Sequence, residues 1–359
     1  MRSMRQNSSL PKKRVSALDF KCSSSTWIRF SPDSSKQPAI FPTDYKWKDY
    51  SPTVFRHLQE LNEIDASHYK LSICQEESLK AITLHENNGS RHYLSIDERF
   101  VVKILRKSEM KALLDMLPHY YYYVQIWEST LLTKFYGLHS VSSLGSRKVY
   151  FVVVANIFDS ELPIHRRFDL KGSCHGRQAS RCGIDKSVTL KDLDLDLVFH
   201  LDTETRDQLL MQIRRDCSFL EREGIMDYSF LLGIHMRSLS NYCSSVKGKA
   251  NTVEFGSSRP SPKDGKGTPA VAKRARRDES RNGFLQLGAE KGTDVILYFG
   301  IIDILQQYNA AKRFEHAYKS IQFDSQSISA VNPKTYAARL QEFLSRVFPR
   351  KSDDCVTLD

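Results

Sequence analysis

Three charged residues stand where apolar neighbours make charge expensive. Lys103 lies within Val101-Val102-Lys103-Ile104-Leu105, Asp227 follows Ile225-Met226, and Asp303 lies within Ile301-Ile302-Asp303-Ile304-Leu305. A charge on an apolar segment costs free energy unless it meets an opposite charge, a metal ion or several hydrogen-bond partners. Nucleotide phosphates would answer Lys103, and Mg²⁺ bridging ATP phosphates would answer Asp303. Asp227, after a helix end and before an apolar strand, is placed to receive the proton of an attacking hydroxyl. Each has an ordinary alternative when taken alone: an edge-strand lysine snorkelling to solvent, or a capping aspartate. Taken together, they describe phosphoryl transfer by positioning and charge neutralisation.

Lysine, catalytic aspartate and metal aspartate also occur in the chain order used by protein kinases. Upstream of Lys103, Asn87-Asn88-Gly89-Ser90 stands where a nucleotide-binding hairpin would offer the backbone N–H groups of Gly89 and Ser90 to phosphates. Asn-Gly is equally the strongest ordinary hairpin turn. A third basic feature, Arg166 to Arg181, gathers Arg166, Arg167, Lys171, Arg177 and Arg181 around Gly172-Ser173. Such clustering suits phosphate binding, and a solvated basic loop reads the same way.

The elements that must position these groups follow from periodicity. Val54, Phe55, Leu58, Leu61 and Ile64 recur at helical spacing. Arg99 to Leu105 reads as a strand, Lys107 to Met116 as a helix closed by Pro118, and Val149 to Val154 as another strand. Asp207 to Glu223 places Leu210, Ile213, Cys217 and Leu220 on one helical face, with Gly224 as its stop. Ile225 to His235 returns as loop and strand, Asp294 to Leu305 is a strand running into a turn, and Tyr336 to Phe348 is a closing helix. Residues 1–44, rich in serine and basic residues, read as a flexible tail, and 350–359 as a second one. Between about 238 and 293 the chain is too polar to bury a core and reads as a disordered insert. Its KRARR run (273–277) is either merely solvated or a nuclear or lipid-binding patch.

Composition narrows the partners. Of 359 residues, 40% are hydrophobic, enough for a substantial core, and Lys plus Arg exceed Asp plus Glu by 53 to 42. A net charge of +11 favours phosphate-rich partners such as anionic headgroups, nucleotides or nucleic acid, without choosing among them. The seven cysteines form no C-x-x-C pair, which argues for reduced thiols and no zinc. The longest apolar run, Val149 to Phe158, is too short for a membrane helix, and the polar start lacks a signal-peptide core, so membrane contact is expected to be peripheral.

The motifs FDLKGS (168–173), IMDYS (225–229) and IIDIL (301–305) resemble those of phosphatidylinositol phosphate kinases, in the same order and around a similar insert. KWKDY, MLPHYY, TKFYGLH, HRRFDLKGS-x-HGR, TLKDLDL and EHAYKSIQFDSQSISAV look like the plant 5-kinases, and the resemblance spans about residues 45–349. It implies an α+β, two-lobed protein-kinase-like fold with an antiparallel sheet in an N-lobe (45–158) and a C-lobe (159–349). It implies that Lys103 holds ATP phosphates, Asp227 is the catalytic-loop aspartate and Asp303 binds Mg²⁺. Lys171, supported by Arg177, would meet the lipid phosphate, and Lys312-Arg313 would dock on anionic lipid. Glu315 stands where 5-kinases carry glutamate and 4-kinases alanine, which implies phosphatidylinositol 4-phosphate as substrate. Without membrane-occupation repeats before it, the chain is expected to belong to the short subfamily.

Two positions depart from the family. Residues 86–94 read ENNGSRHYL where plant members carry P-G-K-S-G-S-F-F-Y-L, and Phe230 replaces the leucine of the catalytic motif. The expectation is therefore an ATP-dependent 5-kinase, peripheral at the cytoplasmic face of the plasma membrane. Its alternative is a lipid-binding pseudokinase. Nucleic acid is not an expected partner; a homodimer through the N-lobe and a nuclear pool are compatible with the sequence.

Overall fold

The computed structural model describes residues 15–21, 24–30, 45–74, 79–82, 91–143, 146–179, 188–236, 268–276, 294–309 and 331–350. They fall into two units. The first holds the described residues up to Glu128 and Thr133–Asp159. The second holds Ser129–Leu132 and the described residues from Ser160 onward.

In the first unit, short runs of β-branched and aromatic residues make a seven-stranded sheet. In chain order its strands are β1 (Ser25–Phe30), β2 (Tyr45–Tyr50), β3 (Leu79–Ile82), β4 (His92–Ser95), β5 (Phe100–Leu105), β6 (Phe135–Ser143) and β7 (Val149–Ala155). The spatial order is β1-β2-β6-β7-β5-β4-β3, with every pair antiparallel. Ile64, Tyr69, Phe100, Val102, Tyr136 and Val153 form the core against one face. Phe100 meets Tyr69 and Tyr136 edge-on at centroid distances of 5.4 and 5.7 Å, the geometry the ring quadrupoles favour.

Three helices accompany this sheet: α1 (Pro52–Leu61), α2 (Ala66–Cys74) and α3 (Lys107–Ile126). α1 buries Val54, Phe55 and Leu58, as the periodicity predicts, while Leu61 is exposed. Two expectations are corrected. Pro118 does not close its helix; α3 runs on to Ile126. A proline removes one i→i−4 hydrogen bond, and the buried flank of Leu113, Leu117, Tyr120, Tyr121 and Tyr123 carries the helix past it. The segment assigned to a flexible tail also contributes structure, because β1 pairs along its whole length with β2.

The second unit is built on a six-stranded sheet of β8 (Arg166–Leu170), β9 (Thr189–Lys191), β10 (Leu197–His200), β11 (Ser229–Met236), β12 (Thr268–Arg276) and β13 (Asp294–Ile302). Its order is β10-β12-β13-β11-β8-β9, antiparallel except for β8 with β9. β12 lies within the stretch expected to be a disordered insert, with β10 on one side and β13 on the other. Strand pairing is a backbone interaction, and the Thr-Pro-Ala-Val-Ala start of β12 supplies β-branched residues to a segment otherwise read as polar linker. The remainder of that stretch lies outside the described residues.

Helices α4 (Thr203–Arg222) and α5 (Pro333–Val347) pack against each other. Both begin with a side-chain cap: Asp202 accepts from the Thr205 N–H and Asn332 from the Thr335 N–H, each at 2.9 Å. Gly224, at φ 67°, ends α4 as its position predicts. Phe230, the bulky departure, is fully buried and stacks on Phe299 at 5.7 Å, so the larger side chain is accommodated in an aromatic layer.

Candidate active site

Strand register brings three of the sequence-selected residues to one end of the second sheet. β11 pairs with β13 through Ser229↔Ile302, so Asp227 just precedes that pair and Asp303 just follows it. β11 pairs with β8 through Phe230↔Leu170, which puts Lys171 at the same end. Beyond the aspartates the two segments meet again. Ile225 bridges to Gln307, the Met226 N–H donates to the Gln306 carbonyl at 3.0 Å, and the Tyr308 N–H donates to the Gly224 carbonyl at 2.9 Å. Asp227 and Asp303 therefore occupy paired loops closed on both sides by backbone hydrogen bonds.

Both aspartates adopt left-handed backbone conformations, φ 63° at Asp227 and φ 61° at Asp303. Such conformations are uncommon outside glycine, and Asp tolerates them better than most residues. The pairing on either side supplies the constraint that holds them, and strain of this kind concentrates where side chains must be aimed.

Lys171 is the cation of the site. Its Nζ donates to Asp227 Oδ1 at 2.8 Å and to the Asp227 carbonyl at 2.9 Å. Its side chain is 14% exposed and that of Asp227 30%. Burial opposes the ammonium charge, but Asp227 and Asp169 more than offset it, and the Lys171 pKa is raised. Lys171 thus stays charged beside the Asp227 side chain.

The turn that presents Lys171 is fastened by Asp192. The N–H groups of Lys171 and Gly172 donate to Asp192 Oδ1 at 2.8 and 2.6 Å. Gly172 has φ 70°, and a Cβ there would lie 3.1 Å from the Arg339 carbonyl and 3.2 Å from Leu340 Cα on α5, so only glycine suits the position. Asp192 Oδ2 accepts from Arg177 Nε at 2.6 Å, while Arg177 Nη2 donates to the Asp169 carboxylate and carbonyl, both at 2.5 Å. Arg177 is 8% exposed. Its guanidinium faces two carboxylates across the loop, so geometrically it braces the turn that carries Lys171. On the other side, Tyr336 of α5 donates its hydroxyl to the Tyr228 carbonyl, next to Asp227.

Lys103 belongs to the first unit. It stands on β5, between β4 and β7, opposite His92 and Val152. It is therefore not on an edge strand, and the snorkelling edge lysine is ruled out as its explanation. Gly89 and Ser90, and Lys312, Arg313 and Glu315, lie outside the described residues.

Asp192, Asp169 and Tyr336 were not singled out by their chemistry in the sequence. For Asp192 a signal existed: the acidic stretch Thr-Leu-Lys-Asp-Leu-Asp follows a basic loop, and opposite charges at that spacing invite a brace. Tyr336 carried no such sign, since a tyrosine on an apolar helix face reads as core.

Comparison with known proteins gives the family of the chain. The family described as Phosphatidylinositol-4-phosphate 5-Kinase matches residues 73–347. Phosphatidylinositol 4-phosphate 5-kinase 3 of Arabidopsis thaliana is 43% identical over 353 residues, covering 92% of this chain and 49% of that protein. Phosphatidylinositol 4-phosphate 5-kinase 6 of the same plant is 42% identical over 363 residues, with 93% and 51% covered. Phosphatidylinositol 4-phosphate 5-kinase 1 of Oryza sativa subsp. japonica is 38% identical over 425 residues, with 98% and 51% covered. The chain spans about half the length of the curated relatives it matches.

Proposed function

The chain belongs to the phosphatidylinositol-4-phosphate 5-kinase family, and from that premise we propose that it transfers the γ-phosphoryl group of ATP to the 5-hydroxyl of phosphatidylinositol 4-phosphate. The observation that carries the proposal is the double closure around Asp227 and Asp303, with Lys171 Nζ 2.8 Å from Asp227 Oδ1. Asp227 orients the inositol hydroxyl and accepts its proton. Lys171 turns to the lipid phosphate, and Arg177 supports it by bracing the turn. Lys103 holds ATP phosphates, with Gly89 and Ser90 contributing backbone donors.

Among the described residues, no group of three or more His, Cys, Asp or Glu side chains could hold a metal. Mg²⁺ needs only one or two carboxylates and completes its shell with water and phosphate oxygens, so the single carboxylate of Asp303 fits it. Asp303 is the residue that would hold it, and the ion would neutralise charge on the ATP phosphates. Glu315 would favour the 4-phosphate isomer, and Lys312 and Arg313 would dock on anionic lipid at the cytoplasmic face of the plasma membrane. No described helix is long and apolar enough to cross a membrane.

The test is transfer of labelled γ-phosphate from ATP to vesicles containing phosphatidylinositol 4-phosphate, with the 5-phosphate isomer and a Lys103→Ala control in parallel. Product from the 4-phosphate alone, lost in the control, is the expected result. Vesicle binding without product would overturn the proposal.

A further inference from the structure

A second polar site lies in the first unit, on the side of the sheet where α1 and α2 approach β2 and β6. His139 of β6 is 6% exposed, and its Nδ1 lies 2.7 Å from Asp49 Oδ1 of β2. The same carboxylate oxygen accepts from Trp47 Nε1 at 2.5 Å, so donors already surround the Asp49 charge. The other ring nitrogen, His139 Nε2, is buried without a hydrogen-bond partner, and so is the hydroxyl of Tyr69, which is 5% exposed. Leaving two such groups unanswered in a protein interior is costly, and most buried polar groups find partners.

Both atoms face one gap. A Cβ placed on Gly137 would lie 2.4 Å from His139 Nε2 and 2.6 Å from the Tyr69 hydroxyl, so glycine keeps that space open. Asp49, Tyr69, Gly137 and His139 line a cavity of about 60 Å³, whose wall also carries Arg56 and Lys70. On this measure one water needs about 10–15 Å³, so the space takes several waters or one small polyatomic ion.

We propose that this cavity is a binding site for a small oxyanion of the phosphate class, held by the Tyr69 hydroxyl and His139 Nε2–H and attracted by Arg56 and Lys70. Asp49 fixes the ring through Nδ1 and stabilises the imidazolium that must form when Nε2 donates to an anion. Burial, with Cys74 and Asp49 adding to it, holds the Tyr69 pKa well above its usual value, so the hydroxyl keeps its proton. The titratable or charged groups lining the cavity are thus Asp49 and Tyr50 from β2, Tyr136 and His139 from β6, Arg56 from α1, and Tyr69 and Lys70 from α2. A cation is a poorer occupant of such a wall.

The test is titration of the full chain with inorganic phosphate and, separately, with glycerol 3-phosphate, followed through the His139 ring-proton NMR signal, identified by its loss in His139→Gln. That signal reports on this cavity and not on phosphate bound at Lys171 or Lys103. Saturable movement of the signal toward the imidazolium position is expected, with affinity weakened about tenfold in Tyr69→Phe, which deletes one hydroxyl and keeps the ring. Gly137→Ala should abolish the response. Tighter binding of glycerol 3-phosphate would identify a phosphomonoester, and tighter binding of phosphate the free ion. An unmoved His139 signal with both anions, or equal affinity in Tyr69→Phe, would overturn the proposal and leave the cavity to water.

Discussion

Lys171 Nζ contacts Asp227 twice, at the carboxylate (2.8 Å) and at the carbonyl (2.9 Å) of the same residue. One ammonium group thereby fixes the aim of the side chain and the left-handed backbone that carries it. The arrangement gives Asp227 a cation that can be shared with an arriving phosphate, and it makes the two residues a unit whose variants should not behave additively.

Asp227→Asn keeps the shape of the side chain and removes its ability to accept a proton. Turnover on phosphatidylinositol 4-phosphate should fall by about 10²–10⁴, the usual contribution of a positioned base. Sedimentation with anionic vesicles should be unchanged. Undiminished turnover would remove Asp227 from the catalytic role.

Asp192→Asn tests the brace under Lys171. The variant loses the carboxylate that accepts the Lys171 and Gly172 N–H groups and faces Arg177 Nε at 2.6 Å. Breaking a buried pair from one side costs about 3–5 kcal/mol, and here Asp169 retains part of the Arg177 charge, so a loss near the lower end is expected in denaturant unfolding. Displacing Lys171 should lower kcat by about 10²-fold while ATP affinity is kept. Lost stability with unchanged kcat would make Asp192 purely structural.

Much of the candidate chemistry was legible in the chain. Lys103 and Asp303 announced themselves because a charge in a β-branched run demands an explanation, and the placement of Lys103 on the interior strand β5 removes the bland one. The helices around Val54 and Ile213 followed from spacing. What stayed hidden depends on register and on distant partners. Periodicity could not show that Ser229 pairs with Ile302 or that Ile225 bridges to Gln307, and these pairings put the two aspartates in facing loops. The carboxylate partners of Arg177, Asp169 and Asp192, also stayed hidden, because they come from the neighbouring strand and from the turn after β9. Pro118 misled for a related reason: the buried tyrosines beyond it outweigh one lost hydrogen bond.

Tyr336→Phe removes the hydroxyl that donates to the Tyr228 carbonyl and leaves the ring against Tyr228 at 4.7 Å. The carbonyl then loses a buried donor, a change worth about 1–3 kcal/mol. The melting temperature should fall by several degrees. If the bond also steadies Asp227, kcat should fall severalfold at constant KM for ATP; a lower melting temperature with unchanged kcat would confine Tyr336 to packing.

Alkali should destabilise the second unit through groups below this site. Burial pushes the Cys217 thiol from its ordinary 9.0 up to about 12. Burial also raises Tyr228 and Tyr336 well above their usual value. For an acid whose folded pKa is raised, the unfolded chain ionises first. The stability tied to the neutral thiol is therefore complete below about pH 8.5–9 and is lost as pH rises toward the folded value. Unfolding midpoints should accordingly decline between about pH 9 and pH 12. Cys217→Ser keeps a small polar group that does not titrate in this range, and its decline should be shallower even though its stability at neutral pH is lower. Thiol reagents should leave Cys217, 0% exposed, unmodified until the protein unfolds. Equal slopes for the two proteins would show that the tyrosines alone set the alkaline limit.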